Sequence, residues 1–304
     1  MRIVFFLLFY GIIISSFAQQ ETANWFLKGN HIRVTPSGIS NGNFNGQRPP
    51  FEARALSTSV SDAAGNLLFA CDGGIVVDRN FQPMPGLSAN ISAQGSNLIA
   101  LQVPNSTRYY IFYTTRNDYI DINASFTNRY LLIDMQFNGG KGAVVEEGKI
   151  IDPDGSAGFT TVEDNLSGKC WLVIHANKTG KFKAYEILST GLNTTPVISD
   201  AGIAPVKERY IVKQLKTSPN GKMIAGIVDW IDRSSPFYGG AGWIEVFKFD
   251  GQTGIVINQV FIDVPYGYSN SFHSVEFSPD NRLLYGGFMS RVAGLQPSLE
   301  HTVS

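Results

Sequence analysis

Two stretches decide the fold: Leu215–Asp229, reading LKTSPNGKMIAGIVD, and Val275–Phe288, reading VEFSPDNRLLYGGF. Each runs from an apolar strand through a turn rich in Ser, Pro, Asn, Asp and Gly into a second, more strongly apolar strand. The same pattern stands at 59–72 (SVSDAAGNLLFACD), 103–115 (VPNSTRYYIFYTT) and 164–176 (DNLSGKCWLVIHA). Anchored at Gly65, Thr107, Gly168, Gly221 and Asn281, the five copies are spaced by 42, 61, 53 and 60 residues. A period of that size marks stacked supersecondary units. The runs between turns are short and rich in β-branched and aromatic residues, and none holds a helical apolar stripe for three turns.

A small antiparallel sheet cannot bury both of its faces alone, so such units must stack broadside around an axis. Their middle strands then read as unbroken apolar runs, as LLFAC, YYIFY, CWLVI and IAGIV do. The expectation is an all-β protein, a β-propeller with about five blades present and the last incomplete, because residues after Ser290 leave the pattern. A large β-sandwich with accidental turn similarity is the rival reading. Composition agrees with the propeller: of 304 residues 43% are hydrophobic and 12% aromatic, enough for a large core, and 31 Gly with 14 Pro supply frequent turns. With 24 basic and 25 acidic side chains the net charge is −1, so no basic field exists for nucleic acid or an anionic membrane.

Residues 1–18, MRIVFFLLFYGIIISSFA, read as a secretory signal peptide: Arg2, an apolar stretch too short to span a bilayer, and Ser16-Phe17-Ala18 as a small-x-small cleavage site. The divisions expected are 1–18 signal peptide, 19–290 propeller and 291–304 a divergent tail. No later window could span a membrane as a helix, so the mature chain is expected to be secreted or held at the cell surface. Cys71 and Cys170 lie inside apolar runs and are expected to be buried free thiols, with a disulfide as the alternative in an oxidising compartment.

Several segments resemble a known family. Ser218-Pro219-Asn220-Gly221-Lys222 and Ser278-Pro279-Asp280-Asn281-Arg282 resemble the turn element of WD40-like and lactonase-like propellers. Asn24–Asn30 (NWFLKGN), Asp62–Phe69 with Asp72-Gly73, Asn80–Pro85, Leu131–Met135 followed by Asn138-Gly139-Gly140, Trp171–His175, Ser189-Thr190-Gly191 and Val275–Asp280 resemble, in order and spacing, the amino-terminal propeller of secreted Bacteroidota gliding-motility-associated proteins (type IX secretion, type B sorting domain). The resemblance covers most of 23–288 and implies a propeller that acts at or beyond the cell surface. It also implies further blades and a sorting domain, and this sequence continues into neither.

No motif of a serine hydrolase, zinc protease, P-loop or dinucleotide site occurs, so no catalytic residue is assigned. The ligand-binding candidates are the aromatics of the inserted loop 234–243, namely Phe237, Tyr238 and Trp243, which could anchor a protein or carbohydrate partner, together with His175 and His273. Each has a plainer alternative: the aromatics could fold onto the rim, and the histidines could serve packing. Asp72, Asp78, Asp118, Asp121, Asp229 and Asp232 stand near strand ends and could offer oxygens to Ca²⁺, but they are equally good turn residues, and no metal site or cofactor is assigned. The functional expectation is a non-catalytic binding propeller. The alternatives are a lactonase-like metal-dependent hydrolase and a gene fragment without function of its own.

Overall fold

The computed structural model describes residues 23–27, 30–35, 37–41, 57–88, 90–116, 126–164, 166–176, 179–202, 210–230, 242–262 and 271–289. The signal segment 1–18, the tail 291–304, Phe237 and Tyr238 lie outside them. Among the described residues the only helical element is a single 3-10 turn at Asn138–Gly140.

The strands form six antiparallel sheets, taken in chain order. Sheet A holds β1 (Asn24–Leu27), β2 (Asn30–Thr35) and β3 (Gly38–Asn41), and sheet B holds β4 (Thr58–Ser61), β5 (Leu67–Cys71) and β6 (Val76–Asp78). Sheet C is a four-stranded meander of β7 (Gln94–Gln102), β8 (Arg108–Arg116), β9 (Phe126–Asp134) and β10 (Ala143–Gly155). Sheet D has β11 (Phe159–Asp164), β12 (Lys169–Ala176) and β13 (Lys181–Leu188), with the short β14 (Gly191–Leu192) and β15 (Val197–Ser199) both on β13. Sheet E is again four-stranded: β16 (Tyr210–Thr217), β17 (Met223–Trp230), β18 (Gly242–Asp250) and β19 (Ile255–Ile262). Sheet F has two described strands, β20 (Ser271–Phe277) and β21 (Leu284–Met289).

The five sequence repeats are sheets B to F, with each anchor in the turn between the first and second strand. Sheet A is a sixth unit ahead of them, and its sequence carries no such turn. First strands lie next to first strands: β1 against β4, β4 against β7, β7 against β11, β11 against β16, and β16 against β20. Sheets radiating from neighbouring inner strands make a β-propeller.

The second strands explain why the sheets stack. In β8, Tyr109, Ile111 and Tyr113 pack with Phe69 and Val76 of sheet B, while Tyr110 and Phe112 pack with Leu172 and Ile174 of sheet D. In β12, Trp171 and Val173 face sheet E, and Leu172 and Ile174 face sheet C. In β17, Ile224 and Val228 face sheet D, and Ala225 and Ile227 face sheet F. Alternate residues along one strand thus enter two different interfaces, so every residue of the run is apolar. Each fully buried large side chain contributes about 1.5–3 kcal/mol, so these interfaces carry the stability of the fold.

The turns repeat atom for atom. Ser218 Oγ accepts from Met223 N at 2.9 Å and contacts Asn220 Oδ1, while Ser278 Oγ accepts from Leu283 N at 2.9 Å and contacts Asp280 Oδ1. Gly221 at φ 69 and Asn281 at φ 62 fill the same left-handed position. Asn220 N donates to Asn281 Oδ1 at 2.9 Å, which ties the turn of sheet E to that of sheet F.

Both cysteines are free thiols. Cys71 lies in the B/C interface and burial pushes its thiol up to about 12; Cys170 packs beside the C/D interface, and burial pushes it up to about 11. Both stay protonated and unreactive at neutral pH.

Gly86 gives a sharp test of the B/C packing. Its φ is +91, and a Cβ there would sit 2.0 Å from the backbone oxygen of Val144. Gly86→Ala is expected to destabilise the fold by about 3 kcal/mol or more, read as a lowered urea midpoint in equilibrium unfolding.

Candidate axial binding site

A cavity of about 390 Å³ opens where the first strands converge. It is lined by Ser57 just before β4, Asn97, Leu98 and Ile99 of β7, Thr160 and Thr161 of β11, Gln214 to Thr217 of β16, and Glu276 of β20. Five of the six sheets contribute, which places the cavity on the propeller axis. Its lining is mostly hydroxyl and amide groups.

The first strands differ from the second because only one of their neighbours is a blade interface. Leu215 buries into the D/E core while its flanking residues Gln214 and Lys216 turn to the axis. A bulge between Val212 and Gln214 in β16 resets the alternation just before this run, and β20 carries one at the equivalent place, between Phe272 and Ser274. Bulges of this kind re-aim side chains.

Most of the polar lining is fixed. Asn97 Nδ2 donates to the carbonyl of Phe159 at 2.6 Å, which joins sheet C to sheet D. Thr217 Oγ1 donates to the carbonyl of Thr161 at 2.9 Å and lies 3.1 Å from Thr160 Oγ1, joining D to E. Lys216 Nζ pairs with Glu276 at 2.8 Å, joining E to F. Gln214 differs: its Oε1 is buried and finds no donor among the described residues. An amide oxygen in that state costs about 1–3 kcal/mol, which a ligand hydroxyl or N–H would recover.

The residues singled out from sequence lie elsewhere or are only partly described. His175 ends β12 in the D/E interface, 2% exposed, with its ring edge-on to Phe182 at 4.9 Å and against Gly202. Phe182 in turn meets Phe247 edge-on at 4.6 Å. Trp243, on β18, is half-buried against the same core and donates its Nε1–H to Glu245 Oε1 at 2.9 Å. The fold therefore brings His175 and Trp243 to one inter-sheet interface, away from the axial lining. His273 occupies the bulge position of β20. Asp72 Oδ1 accepts from Gly74 N and Ile75 N, and Asp78 Oδ1 from Asn80 N and Gln82 N, so both close their own turns. Asp229 lies in β17, and Asp118, Asp121 and Asp232 fall outside the described residues. Among the described residues no three His, Cys, Asp or Glu side chains gather as a metal site would require, and no helix is long and apolar enough to cross a membrane.

Sequence reading missed the axial residues, although a signal exists. Lys216 and Glu276 each stand five residues before their turn anchors, Gly221 and Asn281, and Thr161 and Gln214 each stand seven before theirs. Polar residues at matching offsets in an otherwise apolar repeat mark the inward-facing positions.

A second groove, of about 510 Å³, lies between the turns of sheets D and E and includes Leu166, Phe249 and Ile257. Its carboxylates, Asp164 and Asp250, are held low by hydrogen bonds from Ser167 and Thr253 within their own turns.

Burial holds the pKa of His175 down at about 4, against 6.5 for a free imidazole. The folded protein therefore needs the neutral ring, and its contribution is complete above pH 6.5 and is lost as pH falls from there towards 4. The expected loss is about 3 kcal/mol by pH 4. Urea unfolding at pH 7 and pH 4 should show that much less acid sensitivity in His175→Phe than in the unsubstituted chain.

No family model matches the chain, and no curated protein matches it. Solved structures similar to it include the periplasmic gluconolactonase of Pseudomonas aeruginosa, at 12% identity and TM-score 0.48, covering 90% of this chain and 76% of that one. A GH43 β-1,3-galactosidase aligns at 8% identity and TM-score 0.40 over 88% and 84% of the two chains. The Dos1 propeller aligns at 10% identity and TM-score 0.36 over 84% and 78%.

Proposed function

We propose that this chain is an exported, non-catalytic binding propeller whose axial cavity takes a small, neutral, hydroxyl-rich ligand of the carbohydrate class. The observation that carries the reading is the cavity lining. Four first strands present threonine hydroxyls, the Asn97 and Gln214 amides and one internally neutralised ion pair around about 390 Å³, within the usual ~300–1,000 Å³ of small-molecule sites. Such a surface matches a ligand rich in both donors and acceptors and without net charge. Gln214 Oε1, buried beside the cavity and without a donor among the described residues, is the acceptor that a ligand would satisfy on entering.

Hydrolysis of a glycoside asks for two carboxyl groups flanking the bond. The described lining contributes one, Glu276, and Lys216 already pairs with it. That supports binding over a hydrolase of the glycosidase kind. The signal peptide carries the protein to or beyond the cell surface, and the resemblance to secreted gliding-motility-associated propellers suits a role in adhesion or motility there.

A glycan array followed by calorimetric titration tests the reading. The expected result is saturable binding of a neutral saccharide without turnover, weakened about tenfold or more by Gln214→Met, which keeps the length of the side chain and removes its amide hydrogen bond. Release of product from a lactone or glycoside by the purified chain, abolished by Glu276→Gln, would overturn it.

A further inference from the structure

The described lining of the axial cavity holds two formal charges, Lys216 on β16 and Glu276 on β20, among hydroxyl and amide groups that carry none. They meet at 2.8 Å, ammonium to carboxylate, and neither has a second ion-pair or hydrogen-bond partner among the described residues. Both side chains are open to water, at 39% and 59% exposure. A pair so exposed contributes little to folding. Lys183 and Asp152 make the contrast: that carboxylate is enclosed, lies 2.6 Å from its ammonium and also accepts from Asp154 N. The enclosed pair ties sheet C to sheet D, whereas the axial pair stands where a ligand would lie.

Register sets the axial pair beside the open acceptor of the site. Gln214 and Lys216 are two residues apart on β16, beyond its bulge, in regular pairing with Ile227 and Ala225. They share one side of the strand, roughly 7 Å apart along it. A hexose with its hydroxyl groups spans that distance, so a hydroxyl donating to Gln214 Oε1 brings the far side of the ring to the pair. The backbone that carries Lys216 is fixed on either side: Leu215 lies in the D/E core, and Thr217 Oγ1 donates to the Thr161 carbonyl.

We propose, resting on the saccharide reading of the axis, that Lys216 and Glu276 set its charge specificity. Paired, they cancel in charge and still offer a neutral sugar one strong donor and one strong acceptor. A sugar acid would have to share Lys216 with the Glu276 carboxylate, like charge against like charge a few ångströms apart. A protonated amino sugar meets the same repulsion from Lys216. The pair therefore attracts the neutral ligand and repels both charged ones, and discrimination rests on the two effects together. Each charge freed of the other becomes a receptor for its opposite, Lys216 for a sugar acid and Glu276 for an amino sugar.

The probes are a neutral sugar, its uronate and its amino sugar in each of the glucose, galactose and mannose series. They are titrated calorimetrically into the full chain at low ionic strength and about pH 6. The unsubstituted chain is expected to bind a neutral sugar at least about tenfold more tightly than its charged analogues. Glu276→Gln should shift that ratio at least about tenfold toward the uronate, and Lys216→Met by as much toward the amino sugar, both shifts shrinking as salt is added. Exchanging the charges, Lys216→Glu with Glu276→Lys, should restore the neutral preference, whereas a purely structural pair would leave selectivity untouched in every variant. Indifference of the unsubstituted chain to ligand charge, or variants that keep its selectivity, would overturn the assignment and leave the axis a saccharide site. Failure of all three neutral sugars to bind would overturn it as well, and the glycan array then decides whether the saccharide reading falls with it.

Discussion

The structure depends on one constraint: a strand whose side chains are apolar on both faces must be covered on both. β8, β12 and β17 are such strands, and each sends alternate residues into two different interfaces. Covering one of them requires a neighbouring sheet, and that sheet's own second strand then needs covering in turn. The arrangement propagates from blade to blade until it reaches a unit whose outer face is polar or is met by something else. Sheet A is covered on one face only among the described residues. One of its faces sets Phe26 and His31 against sheet B, while Trp25 at 54% and Ile39 at 77% exposure stand on the other.

This constraint made most of the fold legible in the sequence. Runs such as YYIFYTT and CWLVIHA are too uniformly apolar for a sheet with one wet face, and the turns before them need a left-handed residue, supplied by Gly168, Gly221 and Asn281. Sheet A escaped notice because its strands are joined by other turns and because only one face is buried. The thirteen-residue β10 escaped as a single strand because its apolar pattern is broken by repeated register shifts against β9. A bulge alters which face a residue occupies, and nothing in a local window of sequence announces it.

The axial residues were illegible for a different reason. Thr160, Gln214 and Lys216 are ordinary polar residues on short strands, and their chemistry exists only through convergence of strands far apart in the chain. By contrast, His175 attracts attention in the sequence through its residue type, and the fold uses it inside a packed aromatic array with Phe182 and Phe247. Residue type therefore misdirects where position in the repeat would have pointed inward. Matching offsets from the anchors, as for Lys216 and Glu276, carry more information about a propeller's axis than any single reactive side chain.

The two kinds of strand divide the work of the fold. Second strands are committed on both faces and leave nothing free for a ligand. First strands spend one face or less on packing, so the axis is where polar variation costs little stability, and sheet-to-sheet hydrogen bonds there hold it rigid. Asn97 to Phe159, Thr217 to Thr161 and Lys216 to Glu276 link C to D, D to E and E to F in succession. A rigid, polar lining loses little entropy when it closes on a ligand, which is the condition for affinity from few contacts. The polar axis and the packing between blades are thus consequences of one repeat: its first strand looks inward, and its second strand is fully enclosed.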